Sequence, residues 1–186
     1  ELAEVYKELE SASKRLEKTY IIYKLFRDKK IDEIKLLIYL VEGRVFPKWD
    51  ERKIGFSSKL IVKALNNATG TSKEQIEKLW AEKGDLGLVA EILVAKKKQT
   101  TLFHNKLTAE KVYNNIKELA SLQGQGSVGR KVSLVSELIT NAGPLESKYV
   151  VRTVLELLRV GVAEGIIRDA IAWMFFPKVI DIFVPC

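Results

Sequence analysis

Residues Arg152 to Ala172 read RTVLELLRVGVAEGIIRDAIA, and the spacing of the apolar residues there decides the fold class. Leu155, Leu158, Val162, Ile166, Ile167, Ala170 and Ile171 recur at helical intervals, and Gly161 interrupts them where a helix C-terminus would fall. The pattern predicts two amphipathic helices meeting at a glycine joint, the second starting at once. Free backbone N–H groups in the first turn of that second helix, with Arg152 and Arg159 close by in sequence, make a combination suited to an anion. The arginines are seven residues apart, which puts both on one face of a continuous helix, and a salt bridge to Glu156 is the competing explanation.

The helical period continues outward in both directions. Leu2, Val5, Tyr6, Leu9, Ala12 and Leu16 mark a first helix, and Tyr20 to Phe26 and Ile34 to Val41 mark two more. The segment GRVFPKWDERKIGF, Gly43 to Phe56, loses the period and is expected to be a loop pinned by Phe46 and Trp49. Ser57 or Ser58 can cap a helix through Thr69 that Gly70 ends. Ser72 with Gln75 predicts a capped helix ending near Gly84, and Asp85 caps the next, Leu86 to Ala95. Lys96-Lys97-Lys98 and a polar connector through Lys106 follow. Thr108 opens a second half with stripes at Val112, Ile116, Leu119, Leu122 and at Val132, Val135, Leu138, Ile139, and Gly143-Pro144 separates two further helices. The expected architecture is all-α: a single compact multi-helix domain.

The two halves match each other in three places, in the same order. SKLIVKAL (Ser58 to Leu65) pairs with SKYVVRTV (Ser147 to Val154); Val5-Tyr6 and the residues after it resemble Val112-Tyr113 and Lys117 to Ala120; Gly87 to Glu91 resembles Gly161 to Glu164. A duplicated helical unit is implied, with halves of about 1–98 and 105–176 related by an approximate twofold. Gly87 and Gly161 would then lie on one face and touch opposite strands of a duplex, whose backbone has matching twofold character.

With 186 residues and 47% hydrophobic content the chain can bury one sizeable core or two small ones packed together. Its 31 Lys and Arg against 24 Asp and Glu give a net charge of +7, which suits a polyanionic partner without identifying one. A lone cysteine, Cys186, leaves no internal disulfide framework, and one His with one Cys furnishes no zinc site. No apolar run nears the roughly 20 residues that span a bilayer, so a soluble, intracellular protein without membrane contact is expected. The missing initiator Met and the abrupt apolar end point to a fragment of a longer chain.

Gly124 to Gly129, GQGSVG, satisfies G-x-G-x-x-G, but a helix precedes it where a dinucleotide fingerprint needs a strand. Two alternatives stay open: a flexible connector, or an N–H cradle for phosphate helped by Ser127, Arg130 and Lys131. Lys96 to Lys98 suit a solvated helix end. Trp49, Trp80 and Trp173 lie in or beside apolar stripes and are assigned to core packing rather than base stacking. His104 sits in the polar connector and is expected to be exposed. There is no G-x-S-x-G, P-loop, H-E-x-x-H or Cys-His pair, so the domain reads as non-catalytic.

RVFPKWDERKIGFSSKLIVKAL, KGDLGLVAE, LTAEKVY and KYVVRTVLELLRVGVAEGIIRDAIA resemble the N-terminal DNA-binding domain of archaeal and eukaryotic-type ATP-dependent DNA ligases, the archaeal ones most closely. The resemblance runs from about Leu2 to about Ala172, and its most specific motifs are Gly84-Asp85-Leu86-Gly87 and Arg159 to Glu164. It implies an all-helical, pseudo-twofold domain over 1–176 that grips the minor groove on both sides of a nick. Gly84, Asp85, Leu86, Gly87, Gly161, Val162 and Ala163 would approach the sugar-phosphate backbone. Thr108, Gly126, Ser127, Arg130, Lys131, Arg152 and Arg159 would support them. Family members seal nicks in replication, repair and recombination with ATP and Mg2+, through a lysine in a K-x-D-G motif. Lys48-Trp49-Asp50-Glu51 and Lys83-Gly84-Asp85-Leu86 both lack the final glycine in register. The resemblance therefore implies no cofactor in this fragment, and adenylation and OB-fold domains elsewhere in the parent chain. Residues 177–186 depart from the family pattern and read as a truncated linker or an artefact. The implied partners are nicked duplex DNA, those domains and, as an open possibility, a sliding clamp; the implied location is cytoplasmic, or nuclear in a eukaryote. The rival class is a helical-repeat adaptor for an acidic protein surface, for which charge and paired helices look much the same.

Overall fold

The structure is a computed structural model that describes residues 1–97 and 107–176. The described residues form ten helices and no strand. In chain order these are α1 (Leu2–Ser11), α2 (Arg15–Phe26), α3 (Ile31–Val41), α4 (Ser58–Thr69), α5 (Lys73–Lys83), α6 (Leu86–Lys96), α7 (Ala109–Ser121), α8 (Ser127–Asn141), α9 (Pro144–Val154) and α10 (Glu164–Phe175). The all-α class is as expected. Lys98, His104 and the tail 177–186 lie outside the described residues.

The chain divides into two compact units, one made of residues 1–42 with the segment from 159 onward, the other of residues 43–158. This partition differs from the two sequence halves: it groups residues by packing, whereas the halves group them by resemblance.

In the first unit α2 packs along α10 and against α1. Ile22, Phe26, Leu37, Leu40, Ile166, Ile167 and Ala170 are buried. The Tyr6 hydroxyl donates to the Leu40 carbonyl at 2.9 Å, and Trp173 meets Tyr23 edge-on at 6.4 Å between ring centres. The expected first helix is shorter than its apolar stripe. It stops at Ser11, Ala12 is extended, and a new helix starts at Arg15. Ser11 Oγ donates to the Lys7 carbonyl at 3.1 Å, the local side-chain bonding by which serine competes with helix continuation. Leu16 is thereby left 44% exposed on the following helix.

In the second unit α9 is the central element, buried continuously from Ser147 to Val154. α6 packs along it, and α4 packs on α8. The caps at Ser72 and Thr108 form, whereas Ser57, at the N-cap of α4, makes no capping hydrogen bond with its side chain. Ser72 Oγ accepts from the Gln75 N–H, Thr108 Oγ1 from the Lys111 N–H, and Gly70 and Gly84 end their helices in the left-handed conformation. Residues 43–57 contain no helix and are anchored by Val45, Phe46, Ile54 and Phe56. Trp49 departs from its assignment: it is 82% exposed, and the anchoring falls to Phe46 and Phe56 instead.

Candidate nucleic-acid interface

The glycine joint differs from its sequence reading. α9 stops at Val154, and the nine residues before α10 are not helical, so Arg152 and Arg159 do not share a helix face. α9 ends in the Schellman hydrogen-bond pattern: Leu157 N–H donates to the Arg152 carbonyl at 2.8 Å and Glu156 N–H to the Thr153 carbonyl at 3.0 Å. That pattern needs a left-handed residue, and Glu156 fills it at φ 58°. A glutamate there bears the Cβ crowding that glycine avoids. Glu156→Gly is therefore expected to raise stability by about 0.5–1 kcal/mol, the relief of strain exceeding the extra entropy of the unfolded glycine. Urea unfolding of the two proteins checks this, and a loss of stability would show that Glu156 makes a contact outweighing its strain.

Beyond Glu156 the chain alternates. Leu158 is buried, Arg159 exposed, Val160 buried and Gly161 exposed. Arg159 is also left-handed at φ 56°, and Gly161 follows at φ 66°. Three left-handed residues within six is an uncommon backbone, of the sort that persists only where its surroundings hold it. Within the first unit the holding group is Lys18 of α2, whose Nζ donates to the carbonyls of Val160 at 2.8 Å and Gly161 at 3.3 Å. No motif singles out Lys18, and the sequence separation of 142 between the partners leaves no local signal of it. A Cβ at Gly161 would lie 2.5 Å from that ammonium. At φ 66° a β-branched residue would strain the backbone as well as obstruct any approaching one. α10 then begins at Glu164 after Ala163, with no side-chain cap. Arg15 and Arg168 stand beside Gly165, and Arg15 is paired with Asp169.

The start of α6, read as the equivalent joint, is chemically different. Asp85 Oδ1 accepts from the Gly87 N–H at 2.6 Å and the Leu88 N–H at 3.1 Å, so its own carboxylate already satisfies that helix N-terminus. Arg152 holds the carboxylate from α9, through Nε at 3.1 Å and a second nitrogen at 3.0 Å. Burial alone would raise the Asp85 pKa, but the Arg152 hydrogen bonds and those from the Leu88 and Gly87 N–H groups lower it below the usual aspartate value. Gly87 is buried because α6 and α9 cross there. An added Cβ would stand 2.8 Å from the Lys148 carbonyl oxygen and 2.8 Å from Arg152 Cγ. Gly87 and Arg152 therefore lie inside the helix contact, Leu86 is buried in the hydrophobic core, and Gly84 alone of that motif is exposed.

The first turns of α8 have the opposite character. Gly126, at φ 83°, is the N-cap residue, no side chain caps the helix, and no acidic residue occupies its first turn. Arg130 is exposed just beyond it, and Lys131 Nζ lies 3.5 Å from the Gly55 carbonyl. Nothing lies within 4 Å of the Cβ positions of Gly124, Gly126 or Gly129. A helix start without a cap, open to solvent and followed by two cations reverses the usual preference for acidic residues at the positive end of the helix dipole.

The geometry thus sorts the sequence-derived candidates. Gly84, Thr108, Gly126, Arg130, Arg159, Gly161 and Ala163 are exposed; Asp85, Ser127, Lys131 and Val162 are half-buried; Leu86, Gly87 and Arg152 are buried. Thr108 caps α7 with its hydroxyl. Gly87 and Arg152 fall in one unit and Gly161 in the other.

Comparison with known proteins gives the family of the chain. A DNA ligase of Methanothermobacter thermautotrophicus is 49% identical over 175 residues, 94% of this chain and 31% of its own length. DNA ligases of Archaeoglobus fulgidus and Thermococcus fumicolans are 45% and 41% identical, over 94% and 96% of this chain. The chain spans about a third of the length of these relatives, at 32% of each of the last two. Residues 1–172 match the family described as DNA ligase N terminus, and the chain belongs to that family.

Proposed function

We propose that this domain binds nicked double-stranded DNA through backbone and minor-groove contacts, as the N-terminal part of an ATP-dependent DNA ligase acting in replication, repair and recombination. The observation that carries the reading is the start of α8, where a helix N-terminus without a side-chain cap and the Arg130 and Lys131 side chains occur together with no acidic residue in the first turn. A phosphate diester supplies the missing charge. In the first unit, Arg159, Gly161, Val162 and Ala163 form a second backbone-exposing surface, held by Lys18. Gly84 and Thr108 are surface contacts on this reading, with Gly126 and Ser127 at the α8 start. Asp85, Leu86, Gly87 and Arg152 shape the backbone from beneath.

Positioning is the domain's contribution. Catalysis belongs to adenylation and OB-fold domains of the parent chain, which would use ATP and Mg2+, because this chain carries no K-x-D-G lysine. Tethering raises the effective concentration of nicked DNA at that catalytic core.

Fluorescence anisotropy with a labelled nicked duplex across a salt series tests the proposal. Neutralisation of phosphates by Arg130, Lys131 and Arg159 alone would give a log–log slope of about −2.7, at about −0.9 per phosphate. A flat response, or preference for an acidic protein surface over DNA, would replace this reading with the helical adaptor. Labelled ATP is expected to leave the chain unmodified.

A further inference from the structure

We propose that Trp49 is a stacking contact for a base step opened at the nick, an aromatic element of the interface that none of the glycine and cation motifs includes. Pro47 to Asp50 form a tight turn closed by the Asp50 N–H on the Pro47 carbonyl at 3.1 Å, which puts Trp49 at the third position of the turn. The turn is built firmly. The Asp50 carboxylate accepts from the Arg52 backbone N–H at 3.0 Å and from its guanidinium at 2.6 Å. The same guanidinium lies 4.2 Å from the centre of the Phe46 ring, which is itself buried. On this braced support the indole is 82% exposed, the highest exposure among the large apolar side chains described.

An indole displayed this way is costly to solvate and is commonly a recognition element. Charge selects the kind of partner. Residues 43–56 carry four cations, Arg44, Lys48, Arg52 and Lys53, against two carboxylates, Asp50 and Glu51, and one of those carboxylates is held by Arg52. Lys117 of α7 is near enough to act on the Asp50 carboxylate, and the far end of the loop meets Lys131 of α8 at Gly55. Through Gly55 the far end of the loop is joined, within one unit, to the α8 start assigned above to phosphate. An exposed aromatic on a cation-rich loop is the arrangement that grips nucleic acid by stacking. Intact duplex exposes no base face, and a nick does so at small unstacking cost.

This inference rests on the DNA-binding reading, and the test separates the two. Wild type, Trp49→Ala and Trp49→Phe are titrated with a nicked duplex and with the intact duplex of the same sequence, and acrylamide quenching of tryptophan fluorescence is followed in parallel. Trp49→Ala is expected to bind nicked duplex about tenfold more weakly, with intact duplex nearly unchanged and Trp49→Phe close to wild type. Nicked duplex should also shield Trp49 from acrylamide. Undiminished binding of Trp49→Ala to nicked duplex, or an indole equally quenchable with DNA bound, overturns the inference while leaving the DNA-binding reading intact. Failure of the wild type to bind either duplex overturns both. Because the indole packs on so little, circular dichroism should show the variants folded as wild type is.

Discussion

Arg152→Met is expected to lower the unfolding free energy by about 3 kcal/mol, the low end of the cost of removing one partner from a buried ion pair. Methionine keeps the aliphatic stem that packs beside Gly87 and removes only the guanidinium, so the loss reports charge rather than a cavity. Asp85 is left mostly buried, with two backbone N–H donors but without the arginine that holds its charge. Asp85→Asn should cost less, since an amide oxygen can still cap α6. The double variant Asp85→Asn/Arg152→Met should be more stable than Arg152→Met alone, because no buried charge then lacks its partner. Additive losses in this cycle would mean that the pair is not coupled. The pH dependence follows from the same group. The folded pKa of Asp85 lies below its unfolded value, so the stability it contributes is full above about pH 4 and is lost as pH falls through the folded pKa. Wild type should lose stability in that acid range more steeply than Asp85→Asn, which has no carboxylate there to protonate.

What could be read in the sequence, and what could not, follows the range of each interaction. Ser72, Gly70, Gly84, Asp85 and Thr108 all act on neighbours within a few residues, and each occupies the helix end its local chemistry dictates. The segment after Val154 was misread because Leu155 and Leu158 fit the helical period, while the Schellman turn at Glu156 uses a residue that carries no helix-stop signal. Trp49 departs from expectation for a related reason: in a loop, proximity to an apolar stripe does not fix which ring turns inward, and Phe46 and Phe56 are the buried ones. Longer-range effects were out of reach. Asp85 was legible as a cap, but its partner lies 67 residues away on α9, and that partner changes the chemistry of the joint from an open anion site to a closed one. The resemblance implies an approach of DNA at Gly87, and the structure adds a close approach of α9 to the same glycine. SKLIVKAL and SKYVVRTV match letter for letter at several places, yet Lys63 is exposed and Arg152 buried, so similar strings occupy dissimilar surroundings.

The contrast between a closed and an open helix start leads to the largest expected effect on binding. Arg130→Glu/Lys131→Glu should weaken nicked-duplex binding by about a hundredfold or more at low salt, since two phosphate neutralisations are lost and two repulsions gained. The salt slope should become shallower by about 1.8. Folding should suffer little. Arg130 is exposed, Lys131 makes one long contact to the Gly55 carbonyl, and glutamates nearer the start of α8 suit the helix dipole better than cations do. Binding and stability are thus predicted to move in opposite directions, or binding alone to move, which a generally destabilised protein would not do. Arg152→Met supplies the complementary control. Its guanidinium is buried against Asp85, so at temperatures where the variant remains folded the salt slope should match wild type. Should Arg152→Met flatten the slope while the Arg130/Lys131 variant leaves it unchanged, the phosphate contacts would belong to the α6–α9 crossing, and the assignment of the α8 start to DNA would be wrong.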